Sequence, residues 1–318
     1  MKIFVIGAGR WGSFIAWYLD SIGHTVSLYG RESSQKMQEL IKTRKNSVIE
    51  FPESLELTTS LDKITDYDVV LISIDSQGLS SLMDSLSDRG LENKIFVLCM
   101  KGIEIGTGKR LSEIVKEKTS LTNKVAVWLG PGHVQEFYSG RPNCMVIDSD
   151  SEEVKEKLVN SFSSSLIRFY YGTDLIGNEI GAAAKNVIGI AAGILDGLDL
   201  SSLKGALMAR APREISRLVS ALGGNPVSVY GLCHLGDYEA TVFSKYSHNR
   251  GYGEALVKGE EQSGLAEGYY TVKALMELSE KYSVELPICR AVFRVIYEGA
   301  SPTEEMDKLF HRSLKSEF

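Results

Sequence analysis

From Lys2 to about Tyr171, short apolar runs rich in Val, Ile, Phe and Tyr alternate with segments whose apolar residues return every third or fourth position. The runs read as strands buried on both faces and the spaced segments as amphipathic helices. Their alternation predicts a parallel sheet with crossover helices. Strands are expected at 2–6, 25–29, 69–74, 95–99, 125–129, 143–147 and 166–171, and helices at 11–22, 79–88, 108–118 and 152–163. After Asp174 the strand signal fades, and helical spacing takes over at 174–195, 203–222, 265–282 and 287–298. The expected organisation is therefore an α/β domain with a mainly parallel sheet over residues 1–172, followed by an all-α domain over 173–318. No Pro/Gly/Ser-rich linker divides them, so the two are expected to pack together around a cleft.

Composition narrows the class. The 318 residues suit two domains, at roughly 100–200 residues each. With 43% hydrophobic and 24% charged residues the chain can bury a core, which excludes disordered and fibrous proteins. Its 35 Lys+Arg are outnumbered by 41 Asp+Glu, and the net charge of −6 argues against nucleic acid or anionic membrane as partners. A small anion would need a local basic pocket. Cys99, Cys144, Cys233 and Cys289 lie far apart without CxxC or Cys/His pairing, so no metal site or disulfide framework is suggested, and reduced thiols fit a cytoplasmic protein. Lys2 leads straight into an apolar run and glycines with no signal-peptide core. The longest uncharged stretch, 218–236, is broken by Gly223, Gly224, Asn225 and Pro226, so no membrane insertion is expected.

Candidate chemistry begins at the first strand-to-helix junction, where Gly7-Ala8-Gly9-Arg10-Trp11-Gly12 forms a GxGxxG. In that context Gly7 permits the tight turn, Gly9 lets backbone approach a pyrophosphate, and Gly12 allows close helix-to-strand packing, while helix N–H groups face the phosphates. The bland alternative is a glycine-rich turn without ligand. Where an NAD site usually offers an acid to the ribose diol, the second strand ends Leu28-Tyr29-Gly30-Arg31, with Glu32 next. A cation there suits a 2′-phosphate, so NADPH is favoured over NADH.

A second stretch, from Gly177 to Gly193, spaces Gly181, Lys185, Gly189 and Gly193 four apart, on one stripe of a helix. Each helical glycine costs about 1 kcal/mol relative to alanine, so the stripe needs a reason. Either a closely approaching ligand or backbone fills the groove around Lys185 and Asn186, or small residues simply let helices pack, with the lysine reaching outward. Lys101 and the segment Gly130-Pro131-Gly132-His133-Val134 follow the fourth and fifth expected strands, at the carboxyl edge where open α/β sheets bind ligands. His234 to Thr241 and Ser247 to Gly251 read as polar loops opening helices, a place where anions can be held.

Together these stretches resemble the NAD(P)-dependent glycerol-3-phosphate dehydrogenases over nearly the whole chain. The carriers are GAGRWG at 7–12, KGIE at 101–104, GP with HVQE at 130–136, GAAAKNVIGIAAGILDG at 181–197, LGD at 235–237, SHNRGYG at 247–253 and AEGYYTV at 266–272. The resemblance implies a Rossmann domain, a helical substrate domain, and reversible reduction of dihydroxyacetone phosphate to sn-glycerol 3-phosphate for phospholipid synthesis. It implies that Lys185 is the general acid/base beside Asn186, that Lys101 lies near nicotinamide and substrate, and that Asp237 and Thr241 face the reacting carbon. Gly130 and Gly132 would touch substrate, Ser247, His248, Asn249 and Arg250 would form its phosphate loop, and Arg10, Trp11, Val134 and Glu267 would join the glycines and Arg31 around the cofactor.

The chain also departs from that family. The usual Ser-Arg-Asn is Ser247-His248-Asn249, exchanging a guanidinium for an imidazole, and the usual Gly-Pro-Ser is Gly130-Pro131-Gly132, removing a hydroxyl. Asp75 stands where the family commonly has proline, and the loop after Gly197 lacks its glycine and asparagine spacing. Two other readings stay open: a related dehydrogenase acting on another small hydroxy or oxo compound, and a dinucleotide-binding sensor without turnover. Oligomeric state also stays open, a homodimer included.

Overall fold

The computed structural model describes residues 1–260, 264, 266–313 and 316. The chain divides into two compact units, one of Met1–Lys101 with Lys109–Glu179 and one of Gly102–Gly108 with Ile180–Phe318. The division after Glu179 lies seven residues past the expected boundary at 172, inside a continuous helix.

Unit 1 is built on one eight-stranded sheet of order β3-β2-β1-β4-β5-β6-β7-β8. Its strands are β1 (Lys2–Ile6), β2 (Thr25–Tyr29), β3 (Glu56–Thr58), β4 (Val69–Ile72), β5 (Ile95–Leu98), β6 (Lys124–Leu129), β7 (Asn143–Ser149) and β8 (Ile167–Tyr171). All neighbours pair in parallel except β6 and β7, whose antiparallel register sets Leu129 opposite Val146. The helices are α1 (Arg10–Ser21), α2 (Gln35–Thr43), α3 (Leu79–Leu86), α4 (Leu111–Lys118), α5 (Val134–Tyr138) and α6 (Glu152–Phe162). Central strands covered on both faces need apolar residues at successive positions, which is how Val69 to Ile72 and Ile95 to Leu98 read. The amphipathic α1 buries Phe14, Ile15, Tyr18 and Leu19, and the Tyr18 hydroxyl donates to the Phe162 carbonyl and is hydrogen-bonded with Ser164 Oγ beyond α6.

All seven expected strands are present, and β3, α2 and α5 are additional. The order reverses between β1 and β4, the switch point at which open parallel sheets leave a crevice at their carboxyl edge.

Unit 2 holds most of α7 (Leu175–Gly197), then α8 (Lys204–Ala221), α9 (His248–Lys258), α10 (Glu267–Lys281), α11 (Pro287–Tyr297) and α12 (Pro302–Phe310). Among the described residues α7 alone has the length and apolarity to cross a membrane, but 89% of its apolar window is buried, as in a core helix. Between α8 and α9 the chain makes a 3-10 turn at Leu235–Asp237 and a π turn at Glu239–Phe243. The helix α9, absent from the expected set, crosses α7 in backbone contact. A Cβ on Gly193 would sit 1.9 Å from the Arg250 carbonyl oxygen, and one on Gly253 2.1 Å from that of Ile190. The Gly102–Gly108 segment joins this unit through the Gly106 amide, which donates to Glu277 Oε2 on α10 at 2.8 Å.

Candidate active site

In unit 1 the loops after β1, β4, β5 and β6 all leave from the carboxyl edge of the sheet, because these four strands run parallel. The first closes tightly: Gly7 has φ +120°, and a Cβ there would fall 2.1 Å from the Ser73 carbonyl oxygen. A Cβ on Gly12 of α1 would lie 2.0 Å from the Gly7 carbonyl oxygen, whereas nothing lies within 4 Å of a Cβ on Gly9. Gly7 and Gly12 thus press strand, turn and helix together, and open space lies over Gly9 at the positive end of α1. That combination fits a dinucleotide's pyrophosphate. Arg10 is exposed, Trp11 half-buried, and Arg31 is exposed just beyond β2. Asp75 accepts the Gln77 amide at 3.1 Å and caps the turn Ser76–Gly78, which gives this carboxylate the structural role that its sequence position left unexplained.

Lys101, three residues past β5, donates from Nζ to the Gly130 carbonyl at 2.8 Å, so the loops after β5 and β6 are joined by one of the predicted site lysines. Gly132 has φ +151°, and a Cβ there would lie 2.1 Å from Cε2 of Phe137. The Phe137 ring stacks on Phe14 with centroids 5.1 Å apart and reaches Trp11 at 6.2 Å. The missing serine hydroxyl is thereby explained: the aromatic cluster under α1 takes its space. Val134 opens α5 and is buried.

In unit 2, Lys185 lies on α7 with its side chain 9% exposed. Its Nζ is 2.8 Å from Asp237 Oδ2 and donates to Thr241 Oγ1 at 2.8 Å, so three predicted site residues meet at one ammonium. Asn186 Oδ1 accepts from Asn249 Nδ2 at 3.1 Å, and Asn249 Oδ1 accepts the Gly268 amide at 2.9 Å, which ties α7, α9 and α10 together beside the lysine. Glu267, the first residue of α10, is half-buried next to that bond.

The rest of the loop divides its work. Ser247 caps α9 by accepting the Arg250 amide at 3.2 Å. His248 lies against Gly264, where a Cβ would come within 2.7 Å of its Nδ1. Arg250 donates to Asp196 Oδ2 at 2.6 Å and to Glu254 at 3.0 Å, and Lys204 donates to the same Asp196 oxygen at 2.6 Å. Burial would push the Asp196 carboxyl up, but hydrogen bonds from Lys204, Ser201 and Arg250 outweigh it and hold the carboxyl below its ordinary range, so it stays ionised. Both cations therefore face a carboxylate of this chain.

The glycine stripe is filled unevenly. Gly181 faces His234, and Gly189 faces Thr241 and Asn249, while at Gly193 and Gly197 the occupant is α9. A groove open to ligand along its whole length is thus ruled out, and polar side chains crowd α7 on either side of Lys185. Two contributors lie outside the set expected from the sequence. Asp196 lies eleven residues past Lys185, three helical turns on, so its place on the stripe was legible in the spacing. His234, wholly buried, had no such signal.

Residues 2–155 match the family described as NAD-dependent glycerol-3-phosphate dehydrogenase N-terminus, and residues 174–307 match its C-terminus. A relative from Prosthecochloris aestuarii called glycerol-3-phosphate dehydrogenase (NAD(P)+) is 36% identical over 332 residues, covering all of both chains. One of the same name from Thermoanaerobacter sp. is 35% identical, over 100% of this chain and 99% of its own. The crystal structure of glycerol-3-phosphate dehydrogenase from Coxiella burnetii aligns with a TM-score of 0.91 at 28% identity, covering 98% of this chain and 99% of that one. A ketopantoate reductase family structure from Ralstonia eutropha, 13% identical with a TM-score of 0.63 over 96% of this chain and all of its own, shares the fold alone.

Proposed function

The chain belongs to the NAD-dependent glycerol-3-phosphate dehydrogenase family, and from that premise we propose how its own residues carry out the NAD(P)-linked interconversion of sn-glycerol 3-phosphate and dihydroxyacetone phosphate. The observation that carries the reading is the buried ammonium of Lys185 held between Asp237 and Thr241. A nicotinamide dinucleotide, when bound, supplies the hydride in reduction and accepts it in oxidation. Gly7, Gly9 and Gly12 with the start of α1 hold its pyrophosphate, Arg10, Trp11, Val134 and Glu267 complete the contact, and Arg31 takes the adenosine end. Lys185 gives a proton from Nζ to the carbonyl oxygen as the alcohol forms and takes it back in the reverse direction. Asp237 and Thr241 fix where that Nζ points, Lys101 adds a second positive charge toward the developing oxyanion, and Gly130 and Gly132 let backbone approach the substrate. Asn186, Ser247, His248, Asn249 and Arg250 form the end that receives the phosphate. A cytoplasmic homodimer that supplies glycerol 3-phosphate for phospholipid synthesis completes the proposal.

The direct test follows NADPH oxidation by purified protein against a panel of small ketones. Turnover with dihydroxyacetone phosphate above all others supports the reading. Preference for an unphosphorylated oxo compound transfers the site to the related-dehydrogenase class, and cofactor binding without turnover on any of them makes the chain a sensor.

Cofactor choice rests on Arg31 and on the absence of an acid at the end of β2. A guanidinium pairs with a 2′-phosphate through charge-assisted bonds, so kcat/KM is expected to be higher with NADPH than with NADH. Arg31→Ala should close most of the gap by raising KM for NADPH. Equal or better kcat/KM with NADH in the unmutated protein would remove this assignment.

The phosphate end carries its own expectation. Two basic residues, His248 and Arg250, stand in the stretch from Ser247 to Arg250, and Arg250 shares Asp196 with Lys204. An imidazole grips a phosphate less well than the two-pronged guanidinium it replaces. His248→Arg should therefore lower KM for dihydroxyacetone phosphate by about tenfold, the worth of one added charge-assisted hydrogen bond. An unchanged KM would place His248 outside the phosphate site.

A further inference from the structure

We propose that His234, paired with Tyr238, is a positioning residue for this reaction: it fastens the turn that carries Asp237 and Thr241 to the helix that carries Lys185. The claim rests on the functional reading above for its kinetic readouts, and on geometry alone for the rest.

One ring nitrogen, Nδ1, lies 2.8 Å from the carbonyl oxygen of Gly181, and the other, Nε2, lies 2.7 Å from the Tyr238 hydroxyl. Gly181 is one helical turn before Lys185, and Tyr238 directly follows Asp237. The imidazole thus spans the two elements whose relative placement sets the distances from Lys185 Nζ to Asp237 and Thr241. A carbonyl can only accept, so Nδ1 carries the proton and Nε2 accepts from the tyrosine. Burial, opposed by the bond to Gly181 and reinforced by the charge of Lys185, pushes the His234 pKa down to about 4, which keeps the ring neutral at pH 7. Burial also raises the Tyr238 hydroxyl well above its ordinary value, so it remains a donor.

Two features argue for a role beyond filling space. In an α-helix the Gly181 carbonyl already accepts the amide four residues on, that of Lys185, so the imidazole bond is not needed to complete the helix. It links helix to turn instead. The approach is also close, since a Cβ on Gly181 would lie 3.0 Å from His234 Cβ and one of the two would have to give. A hydrophobic side chain could fill the same volume without tying the turn to any register along α7. Displacing a catalytic group by about 1 Å can cost on the order of a hundredfold in rate, which is why such a tie matters here.

The experiment compares His234→Ala, His234→Asn and Tyr238→Phe with wild type. It measures Tm, NADPH dissociation constant, kcat and KM for dihydroxyacetone phosphate, and amide hydrogen exchange over 235–243. An asparagine amide nitrogen occupies nearly the place of Nδ1 and can donate to the Gly181 carbonyl, whereas alanine cannot. His234→Ala should lower kcat roughly ten- to a hundredfold with NADPH affinity kept and exchange over 235–243 accelerated, and His234→Asn should recover most of the loss. A merely structural role would lower Tm and leave kcat of the folded protein within about twofold of wild type. That result, or an asparagine variant no better than alanine, overturns the proposal. If His234→Ala does not fold, Tyr238→Phe decides in its place, because it keeps ring and volume and removes only the hydroxyl: lowered kcat supports the proposal and unchanged kcat overturns it. If wild type does not turn over dihydroxyacetone phosphate, the functional reading fails by itself. Hydrogen exchange over 235–243 then judges the tie between turn and helix, with unaltered exchange in the variants overturning it.

Discussion

Lys185→Ala should lower kcat by at least about 100-fold while leaving the dissociation constant for NADPH nearly unchanged. In the proposed mechanism the lysine stabilises charge that exists only while hydride moves, and a group of that kind acts on the transition state more than on the ground state. Its surroundings sharpen the expectation. Asp237 is 1% exposed, and removing the ammonium takes away the ion pair of a buried carboxylate, so the variant also loses the arrangement that organises the turn. The dinucleotide fingerprint lies in unit 1, on residues other than those that hold this lysine. Stopped-flow turnover and cofactor titration on one preparation separate the two effects. A variant retaining more than about a tenth of wild-type kcat would end the acid/base assignment.

Gly193→Ala should be the most damaging single-methyl substitution for the stability of unit 2. Elsewhere such a change favours a helix by up to about 1 kcal/mol. Here the added methyl would stand 1.9 Å from the Arg250 carbonyl oxygen and 2.8 Å from the Glu254 amide nitrogen, and backbone cannot rotate aside as a side chain can. The two helices must separate, with a cost of about 1–3 kcal/mol or more for overpacking. In a domain of this size that is a fall in Tm of roughly 2–4 °C for each kcal/mol. Since α9 carries Asn249, which bonds Asn186, KM for substrate should rise as well. Gly205→Ala on α8 is the control, because nothing lies within 4 Å of its Cβ, and it should leave Tm unchanged or raise it. Equal Tm values for the two variants would mean that α7 and α9 are not in contact through Gly193.

Much of the architecture was legible in the chain because buried parallel strands announce themselves as unbroken apolar runs. What stayed hidden had weak local signals. The three residues of β3 are too few for a pattern, and α2 keeps only Met37 and Leu40 buried. In α9, Gly251 and Gly253 lower helix propensity, and Gly253 gives the close approach to α7 in return, so local preference pointed away from the structure that packing selects. On α7 the spacing put Lys185 and the glycines on one stripe. It could not say what fills the stripe, because ligand and backbone both demand glycine. Asp237 and Thr241 drew notice as part of a polar loop, but only the resemblance set them beside the reacting carbon, since no periodicity brings a distant stretch of chain onto a given lysine.

The crowding of Gly132 against Phe137 constrains the paths by which this lineage can change. A serine at 132 needs the space that the phenyl ring occupies and a backbone conformation that side chains rarely adopt. The ring is held in turn by Phe14 and Trp11 of α1. Neither position can change alone without cost: a serine at 132 is barred while the ring is present, and trimming the ring first opens a void in a stacked aromatic cluster. The two positions are therefore coupled: a hydroxyl at 132 needs a change at 137 as well, unlike one at an unobstructed surface position, where a single step suffices.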